Sequence, residues 1–370
     1  MRTLVLGGYG NFGARICRAL AGDPAIQLVV AGRSAERSLA FAAKLGQGVE
    51  SQAVDHSSSG FAQWLRDHRI ELLIHTAGPF QAQGYAVAQA VAAAGAHYID
   101  LADGRRFVCD FPAALHDAFA AAGRTAITGA STVPALSSAV VNHLCAGWQR
   151  IDTIDICIAP AQTAPRGRAT MAAVLSYCGE PIQVWRGGHW QTQRGWTNPE
   201  HVHFERLRPR RGALCDIPDL ELFPAHFNVT DRVMFRAALE VGMAQTCFAA
   251  LAHCRAAGLL PNPSRFAGVL DKGGQTLDFL GTSLGGMVQR IGGLNAAGQK
   301  AQRAWHIAAD HDHGPEIPCM AAILLARQLA TGQTLPVGAF TSLGQLPLAA
   351  FEPEFAKWGM VTDTVDEALS

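Results

Sequence analysis

The feature that most constrains this chain is a glycine-rich stretch close to its N-terminus. The apolar run 4–6 ends at Gly7, and three further glycines then follow at Gly-x-Gly-x-x-Gly spacing, just where a helical pattern begins. Gly8 is expected to make the tight strand-to-helix turn, Gly10 to let the backbone approach a pyrophosphate, and Gly13 to let the helix pack on the strand. The helix start favours phosphate charge. The stretch therefore predicts cofactor contacts from Gly8, Tyr9, Gly10, Asn11, Phe12 and Gly13. A purely structural glycine turn is the alternative.

Composition narrows the class of protein. The 370 residues are enough for two domains, and 49% hydrophobic against 16% charged residues can bury a large core. The formal net charge is zero, which argues against a nucleic-acid partner. Nine scattered cysteines without a Cys-x-x-Cys pair predict reduced, buried thiols and a cytoplasmic protein. We expect no signal peptide and no membrane span, because the first strand starts near Thr3 and the apolar stretches are short.

The first third of the chain alternates between strand and helix patterns. Such alternation predicts a doubly wound parallel sheet, a Rossmann domain over residues 1–132. The predicted strands are 26–31, 49–54, 71–75, 97–101 and 125–128, after the first one, and the predicted helices are 11–21, 61–67, 86–94 and 112–122.

The pattern changes after this point. Ile154, Ile156 and Ile158 alternate with polar or small residues, which is typical of a strand with one exposed face. Short strand patterns with turn residues follow, so residues 133–315 are predicted to form a substrate or covering α+β domain with a mainly antiparallel sheet. Further strands are expected over 214–223 and 302–309, and helices over 242–257 and 277–290. The remaining segment, 316–370, contains an amphipathic helix pattern over 317–329.

The end of the second strand indicates which cofactor is bound. NAD-binding domains carry an acidic residue there for the ribose 2′-hydroxyl, but this strand ends Ala31-Gly32-Arg33-Ser34. The guanidinium of Arg33 can pair with a 2′-phosphate, and Ser34 can add a hydroxyl, so NADP(H) is favoured over NAD(H). Arg33 as a solvated helix-start residue is the alternative. Asp55, after the third strand, either borders the adenine or forms a turn.

The fourth strand is followed by a loop of small residues. Ala77, Gly78 and Pro79 lie at the carboxyl end of that strand, the edge at which ligands bind in open α/β sheets. The loop is predicted to run along the ribose and nicotinamide of the cofactor. A structural turn pinned by Gly78-Pro79 is the alternative.

Five segments together resemble one known family. GGYGNFGARI, AGRS, HTAGPFQAQGY, AHYIDLADG and GASTVPALSS are similar to the saccharopine dehydrogenase-like oxidoreductases, most clearly over residues 1–140. The resemblance implies a Rossmann domain, a second α/β domain, NAD(P)-dependent redox chemistry, and a C-terminal helix that packs back on the Rossmann domain. It also implies cofactor contacts from Gly8, Gly10, Gly13, Arg33 and residues 77–79, but it places no catalytic residue.

Candidate catalytic groups lie at strand ends. Hydride transfer needs a group that exchanges a proton, and four residues are candidates: His75, Tyr85, Asp100 and Asp103. His75 can titrate near neutral pH or be a structural histidine, and Asp103-Gly104 can be a plain turn.

The second domain offers a candidate substrate site. Arg166 and Arg168 flank a predicted helix start and suit an anionic substrate group, although a solvated loop explains them as well. A metal is not expected, since the histidines at 201 and 203 and the cluster 310–313 lack a third ligand at suitable spacing.

These features predict an NADP(H)-dependent oxidoreductase that acts on a small polar substrate such as an amino or oxo acid. An enoyl reductase of the same family and a non-catalytic NADP(H)-binding sensor or scaffold are the alternatives. Short-chain dehydrogenases are disfavoured because no tyrosine has lysine four residues on, and semialdehyde-type enzymes because 129–132 contains no cysteine. A homodimer through the sheet of the second domain is possible.

Overall fold

The computed structural model describes residues 1–165 and 167–367. The chain divides into two compact units, each built from two separate stretches. The first unit consists of Met1–Leu136 and Glu316–Leu346, and the second of Ser137–Pro315 and Pro347–Ser370. The segment expected as one C-terminal piece, 316–370, is thus shared between the two units.

The first stretch of the chain alternates strands and helices. In chain order its elements are β1 Arg2–Leu6, α1 Asn11–Leu20, β2 Gln27–Gly32, α2 Ala35–Leu45, β3 Glu50–Ala53, α3 Phe61–Asp67, β4 Leu72–His75, α4 Ala86–Ala94, β5 His97–Asp100, α5 Arg105–Ala121 and β6 Thr125–Thr128. Helix α5 begins seven residues before the predicted Pro112, which lies inside it. A single turn over Thr132–Leu136 follows β6.

The middle stretch holds longer strands and more hairpins. Its elements are α6 Ser137–Leu144, β7 Arg150–Ala159, α7 Arg168–Ser176, β8 Pro181–Arg186, β9 His189–Arg194, β10 Glu200–Val202, β11 Arg210–Leu214, α8 Asp219–His226, β12 Arg232–Ala237, α9 Gly242–Ala256, α10 Ala267–Gln275, β13 Gly285–Leu294 and β14 Lys300–Ala309. The last stretch contributes α11 Ile317–Ala330, β15 Gly338–Thr341, α12 Glu352–Lys357 and β16 Val361–Glu367.

The sheet of the first unit has the doubly wound parallel architecture that the sequence predicts. Within the described residues its strand order is β15-β6-β5-β4-β1-β2-β3, and every neighbouring pair is parallel. Strands β1 and β4 are buried throughout apart from Arg2, since helices cover both faces and the strand sequences are continuous apolar runs. The predicted fold class is therefore confirmed for this unit.

The second unit is built on a mixed, mostly antiparallel sheet, which also confirms the predicted fold class. Its main strand order among the described residues is β10-β11-β12-β7-β13-β14-β16, and the β8–β9 hairpin is attached to β12. The long strand β13 runs antiparallel to both of its neighbours, β7 and β14, whereas β7 is parallel to β12 on its other side.

Two sequence predictions in this unit are wrong. Of the helix expected over 277–290, only Asp278–Leu280 form a short 3₁₀ turn, and residues 285–290 are the start of the central strand β13. A β-carbon at Gly286 or Gly293 of this strand would overlap a neighbouring strand's carbonyl oxygen. The glycines that weaken a helix are here the residues that allow close strand approach. The strand expected over 214–223 consists of the end of β11 and the start of α8.

Helix α11 returns to the first unit and packs against α1. The side chain of Arg327 donates to the carbonyl oxygen of Ala19 at 3.0 Å, and the Arg15 guanidinium pairs with Glu316 at 3.0 Å. Among the described residues, no helix combines the length and apolar character that a bilayer span requires.

Candidate functional site

The candidate site lies where the strand order of the first unit reverses. In the parallel sheet, Leu6 at the end of β1 is in register with Ala31 of β2 on one side and His75 of β4 on the other. The chain continues from β1 to β2 in one direction, and β4 then starts the other half of the sheet. Ligands of open α/β sheets bind in the crevice at the carboxyl ends of strands at such a switch point.

The turn after β1 is made by glycines with different tasks. Gly7 has φ of +83°, the left-handed conformation that favours glycine, and the Gly10 N–H donates to its carbonyl oxygen at 2.8 Å. The tight turn expected at Gly8 is therefore made by Gly7. Gly8 is instead required for space, because its β-carbon would lie 2.9 Å from the Val5 carbonyl oxygen.

Gly13 lets helix α1 sit directly on this turn. A β-carbon there would overlap the carbonyl oxygen of Gly7 and lie 2.7 Å from Oγ1 of Thr76. Thr76, the first residue after β4, donates through its hydroxyl and its N–H to the Leu6 carbonyl oxygen, at 2.8 and 2.9 Å. The turn after β1 and the loop after β4 are therefore joined under the first turn of α1.

The N-terminus of α1 faces this crevice without a side-chain cap. Gly10 is the N-cap residue, and because it has no side chain it forms no cap hydrogen bond. The side-chain oxygen of Asn11 accepts a hydrogen bond from Arg15 at 2.6 Å, and Phe12 offers its carbonyl oxygen to the Cys319 thiol. The dipole and the N–H groups of a helix N-terminus favour an anionic ligand at this place.

The end of β2 carries the residues predicted to choose between cofactors. Arg33 is exposed, and Ser34 is the N-cap of α2, where its hydroxyl oxygen accepts a hydrogen bond from the Arg37 N–H at 3.2 Å. The side chain of Tyr9 reaches across from the glycine turn, and its hydroxyl accepts a hydrogen bond from the Ser34 N–H at 3.1 Å.

Asp55 lies in the loop after β3 and forms a turn. Its carboxylate accepts hydrogen bonds from the N–H and the hydroxyl of Ser57, at 3.0 and 2.6 Å. These bonds are the main cause of its lowered pKa, to which the charge of Arg33 also contributes. Of the two alternatives for Asp55, a turn or a contact to the adenine, these hydrogen bonds show that its side chain stabilises a turn.

The loop after β4 is braced by one glutamine. The side-chain amide of Gln83 donates to the carbonyl oxygens of Ala77 and Pro79, at 2.8 and 2.9 Å. Ala77 and Gly78 are half-buried, Pro79 is exposed, and the Gly78–Pro79 peptide bond is cis. The three residues predicted to line the cofactor therefore form a fixed loop beside the crevice.

His75 is enclosed by the sheet and its aromatic neighbours. Its side chain is 1% exposed, and Nδ1 lies 3.1 Å from the Tyr98 hydroxyl. Burial, aided by the nearby charge of His56, lowers its pKa to about 3. Of the two alternatives given for His75, this enclosure favours the structural histidine over one that titrates near neutral pH.

Asp100 is a buried carboxyl at the end of β5. One oxygen accepts hydrogen bonds from the N–H groups of Ala102 and Gly129 and from the Thr128 hydroxyl, all between 2.8 and 2.9 Å. Burial raises its pKa to about 6, although these bonds favour the charged form. The carboxyl therefore joins the loops after β5 and β6.

Tyr85 and Asp103 differ in their hydrogen bonds and in how far their side chains are buried. The Tyr85 hydroxyl donates to the Phe107 carbonyl oxygen at 3.0 Å, and burial raises its pKa to about 12. Asp103 is half-buried beside the N-cap of α5, and one of its oxygens accepts a hydrogen bond from Gln81 at 3.0 Å. Burial raises the pKa of Asp103. Gln81 thus connects Asp103 to the loop after β4.

The candidate substrate residues of the second unit are not described. Arg166 lies outside the described residues, and so does the side chain of Arg168, the first residue of α7. Within residues 1–165 and 167–367, no group of three or more His, Cys, Asp or Glu side chains could hold a metal ion. The thiols of Cys247 and Cys254 are exposed, so the expectation of buried cysteines is wrong for these two.

Several residues of this region were missed by sequence reasoning. Thr76, Gln81 and Gln83 connect the loops, and Arg37 stands one helical turn after Ser34. A signal for Arg37 was available, because residues three apart on a helix lie on one face. The glutamines offer no such signal, since their partners are set by the path of the loops.

The residues that form this site lie in a region that matches a known protein family. Residues 3–127 match the family model described as the saccharopine dehydrogenase NADP binding domain. The matched residues include the glycine turn between β1 and α1 and the loop after β4. No curated protein sequence matches the chain.

Two solved structures share the fold over the whole chain. The apo saccharopine dehydrogenase (L-Glu forming) from Saccharomyces cerevisiae has 12% identity and a TM-score of 0.70, with 99% of this chain and 100% of that chain covered. The homospermidine synthase from Legionella pneumophila, in complex with NAD, has 10% identity and a TM-score of 0.63, with 100% and 92% covered. At such identities the likeness concerns the fold.

Proposed function

We propose that this chain is an NAD(P)-dependent oxidoreductase of the saccharopine dehydrogenase-like family, whose NADP binding domain model residues 3–127 match, and that it transfers a hydride between NADP(H) and a small amino or oxo acid. The nicotinamide supplies the hydride chemistry. The protein's own residues bind the cofactor, orient it and exchange a proton with the substrate.

The glycine turn on the first helix is the observation that carries this proposal. Gly7 turns the chain, Gly13 seats α1 on the turn, and the N-cap residue Gly10 places no side chain over the start of the helix. These features form a place for a pyrophosphate at the switch point of a doubly wound sheet. We assign the cofactor contacts to residues 8–13 and to the braced loop Ala77–Pro79.

The preference for NADP(H) is supported by the end of β2. The strand ends without an acidic side chain, and the exposed Arg33 follows it directly. Arginine binds phosphate in bidentate fashion, whereas a ribose 2′-hydroxyl calls for a carboxylate. The Ser34 hydroxyl accepts a bond from the Arg37 N–H but can still donate its own proton to a phosphate oxygen.

Asp103 is the best placed of the four candidates for exchanging a proton. It is half-buried, it is connected through Gln81 to the loop after β4, and burial raises its pKa. A carboxyl of this kind can bind a substrate amine or accept its proton. An amino acid substrate also agrees with the name of the saccharopine dehydrogenase that shares the whole fold.

The test combines binding with turnover. Purified protein is titrated with NADPH and NADH by fluorescence, and Arg33→Asp is expected to abolish a preference of about tenfold or more for NADPH. A panel of amino and oxo acids is then assayed for NADP(H) turnover. Asp103→Asn should lower kcat by about 100-fold or more, whereas the exposed Asp110→Asn on α5 should not change it. Failure of both nucleotides to bind at millimolar concentration would overturn the proposal.

A second candidate function is a non-catalytic NADP(H)-binding sensor. It is favoured by the state of the other three candidate groups: His75 is uncharged and enclosed, Tyr85 is committed to a backbone carbonyl, and Asp100 accepts three hydrogen bonds. Tight NADPH binding without turnover of any acid or enoyl substrate would favour this alternative. Turnover with an enoyl substrate alone would instead identify a C=C reductase.

A further inference from the structure

The ring of Tyr9 occupies the space beside the last residue of β2. A β-carbon at Gly32 would overlap this ring and lie 2.7 Å from its hydroxyl oxygen. The hydroxyl is held by the Ser34 N–H at 3.1 Å. The position at which an acidic side chain would end the strand is therefore filled by an aromatic ring from the glycine turn.

The Tyr9 ring is also in contact with an arginine side chain. The guanidinium carbon of Arg37 lies 4.5 Å from the centre of the Tyr9 ring, within the range of a cation–π contact. Arg37 is in the first turn of α2, and its N–H is held by the Ser34 hydroxyl oxygen at 3.2 Å. The backbone of Arg37 is thus held by Ser34, and its guanidinium lies against the Tyr9 ring.

The two arginines of this region keep their charge available. Arg33 and Arg37 are exposed, and neither forms an ion pair with a carboxylate among residues 1–165 and 167–367. A phosphate monoester carries between one and two negative charges at neutral pH and offers three acceptor oxygens. More than one guanidinium can therefore bind it.

We propose that Arg37, held on the ring of Tyr9, is a second ligand of the 2′-phosphate of NADP(H) beside Arg33, and that Tyr9 is its positioning residue. The inference rests on the proposed function, because it requires the cofactor to bind at the glycine turn. It adds a specificity-determining residue and explains why β2 ends in glycine. The Tyr9 ring that positions Arg37 occupies the volume that a side chain at position 32 would need, so residue 32 must be glycine.

A similar contact in the same unit provides the matched control. The guanidinium of Arg18 lies 5.5 Å from the centre of the Phe41 ring, and Arg18 is also exposed. Arg18 belongs to the last turn of α1, at the other end of the helix from the glycine turn. Arg18→Ala removes an arginine–aromatic contact and one positive charge without touching the end of β2.

The experiment measures dissociation constants for NADPH and NADH, and for the fragments 2′,5′-ADP and 5′-ADP, which differ in the 2′-phosphate. The variants are Arg37→Ala, Tyr9→Leu, Tyr9→Phe and Arg18→Ala, each checked for an unchanged thermal midpoint. Loss of a charge-assisted hydrogen bond predicts that Arg37→Ala weakens NADPH and 2′,5′-ADP by about tenfold or more, with NADH and 5′-ADP within about twofold.

The tyrosine variants separate positioning from general structure. Tyr9→Leu removes the ring and should weaken 2′,5′-ADP by about two- to fivefold, the range expected for a cation–π contact near the surface. Tyr9→Phe keeps the ring and should restore the wild-type preference for the 2′-phosphate. Arg18→Ala should leave all four constants unchanged.

The outcomes distinguish this inference from the proposed function. If wild-type protein prefers 2′,5′-ADP and Arg37→Ala keeps that preference, the inference is wrong while the proposed cofactor stands. If Arg37→Ala loses it but Tyr9→Leu does not, the positioning role of Tyr9 is overturned. If the wild type binds none of the four compounds, the proposed function itself fails, and the inference fails with it.

Discussion

Replacing Gly13 with alanine tests how closely the first helix must sit on the glycine turn. Gly13 is the third residue of α1, and by helix propensity alone the change should stabilise the helix by about 1 kcal/mol. In the structure, however, the added carbon would overlap the Gly7 carbonyl oxygen and lie 2.7 Å from Oγ1 of Thr76. Backbone on one side and the β4 loop on the other leave it no free direction.

The expected effect follows from the displacement that removes these overlaps. Ordinary contact distances require α1 to move by more than about 0.5 Å from the turn, and overpacking of this kind costs about 1–3 kcal/mol. Set against the propensity gain, this leaves a net loss of about 0–2 kcal/mol, so the thermal midpoint should not rise and should fall by up to several degrees, at about 2–4 °C per kcal/mol. The displaced N–H groups should also lose charge-assisted bonds to the phosphates, weakening NADPH by about tenfold or more.

Differential scanning and NADPH titration measure both effects, and Gly273→Ala serves as the matched control. Gly273 is also helical, in α10, but a β-carbon there meets no atom within 4 Å. That variant should raise stability slightly and leave NADPH binding unchanged. If Gly13→Ala instead raises the midpoint as Gly273→Ala does, and its NADPH affinity stays within about twofold of the wild type, the argument from close packing is refuted.

Three further predictions follow from charges. NADPH affinity should fall below about pH 6 as the 2′-phosphate gains a proton, whereas NADH affinity should not; parallel titrations from pH 5 to 8 check this, and equal slopes would contradict it. Burial raises the pKa of Asp219 to about 7, so the native state binds its proton more tightly, and the resulting stability is greatest below about pH 4 and is lost as the pH rises to about 7. Asp219→Asn should remove that slope from the thermal midpoint measured between pH 4 and 8, and unchanged slopes would count against it. Glu316→Ala leaves the mostly buried charge of Arg15 unpaired and should cost about 1–3 kcal/mol, whereas Arg106→Ala breaks an exposed pair worth about 0.3–0.5 kcal/mol; equal losses of stability would refute the difference in burial.

The parts of the site that depend on local sequence were largely predictable. The spacing of Gly8, Gly10 and Gly13 after an apolar run predicts a strand, a turn and a helix, because each glycine serves a contact within ten residues. The absence of an acid at the end of β2 and the presence of Arg33 are equally local. The task of Gly8 was misassigned, since which glycine takes a positive φ depends on the detailed path of the turn.

The protonation and accessibility of the four candidate catalytic residues could not be predicted from local sequence. His75, Asp100 and Asp103 end or follow predicted strands and Tyr85 opens a predicted helix, so their sequence positions alone do not rank them as proton-exchanging groups. Their environments differ because aromatic rings enclose His75, and because the loops after β5 and β6 bring donors to Asp100. Burial and hydrogen bonding decide a pKa, and both arise from residues distant in sequence.

The sequence by itself thus determined the doubly wound unit and predicted a place for the proposed cofactor and the charge offered to it, since periodicity and glycine spacing act over short distances. Only the tertiary structure decided that β13 is a central strand rather than a helix, because its glycines are explained by the strands packed on either side of them. Only the tertiary structure brought Tyr9 to Gly32 and Arg37 to Tyr9. Such contacts join separate elements, and their distances follow from how the elements pack rather than from any spacing in the chain.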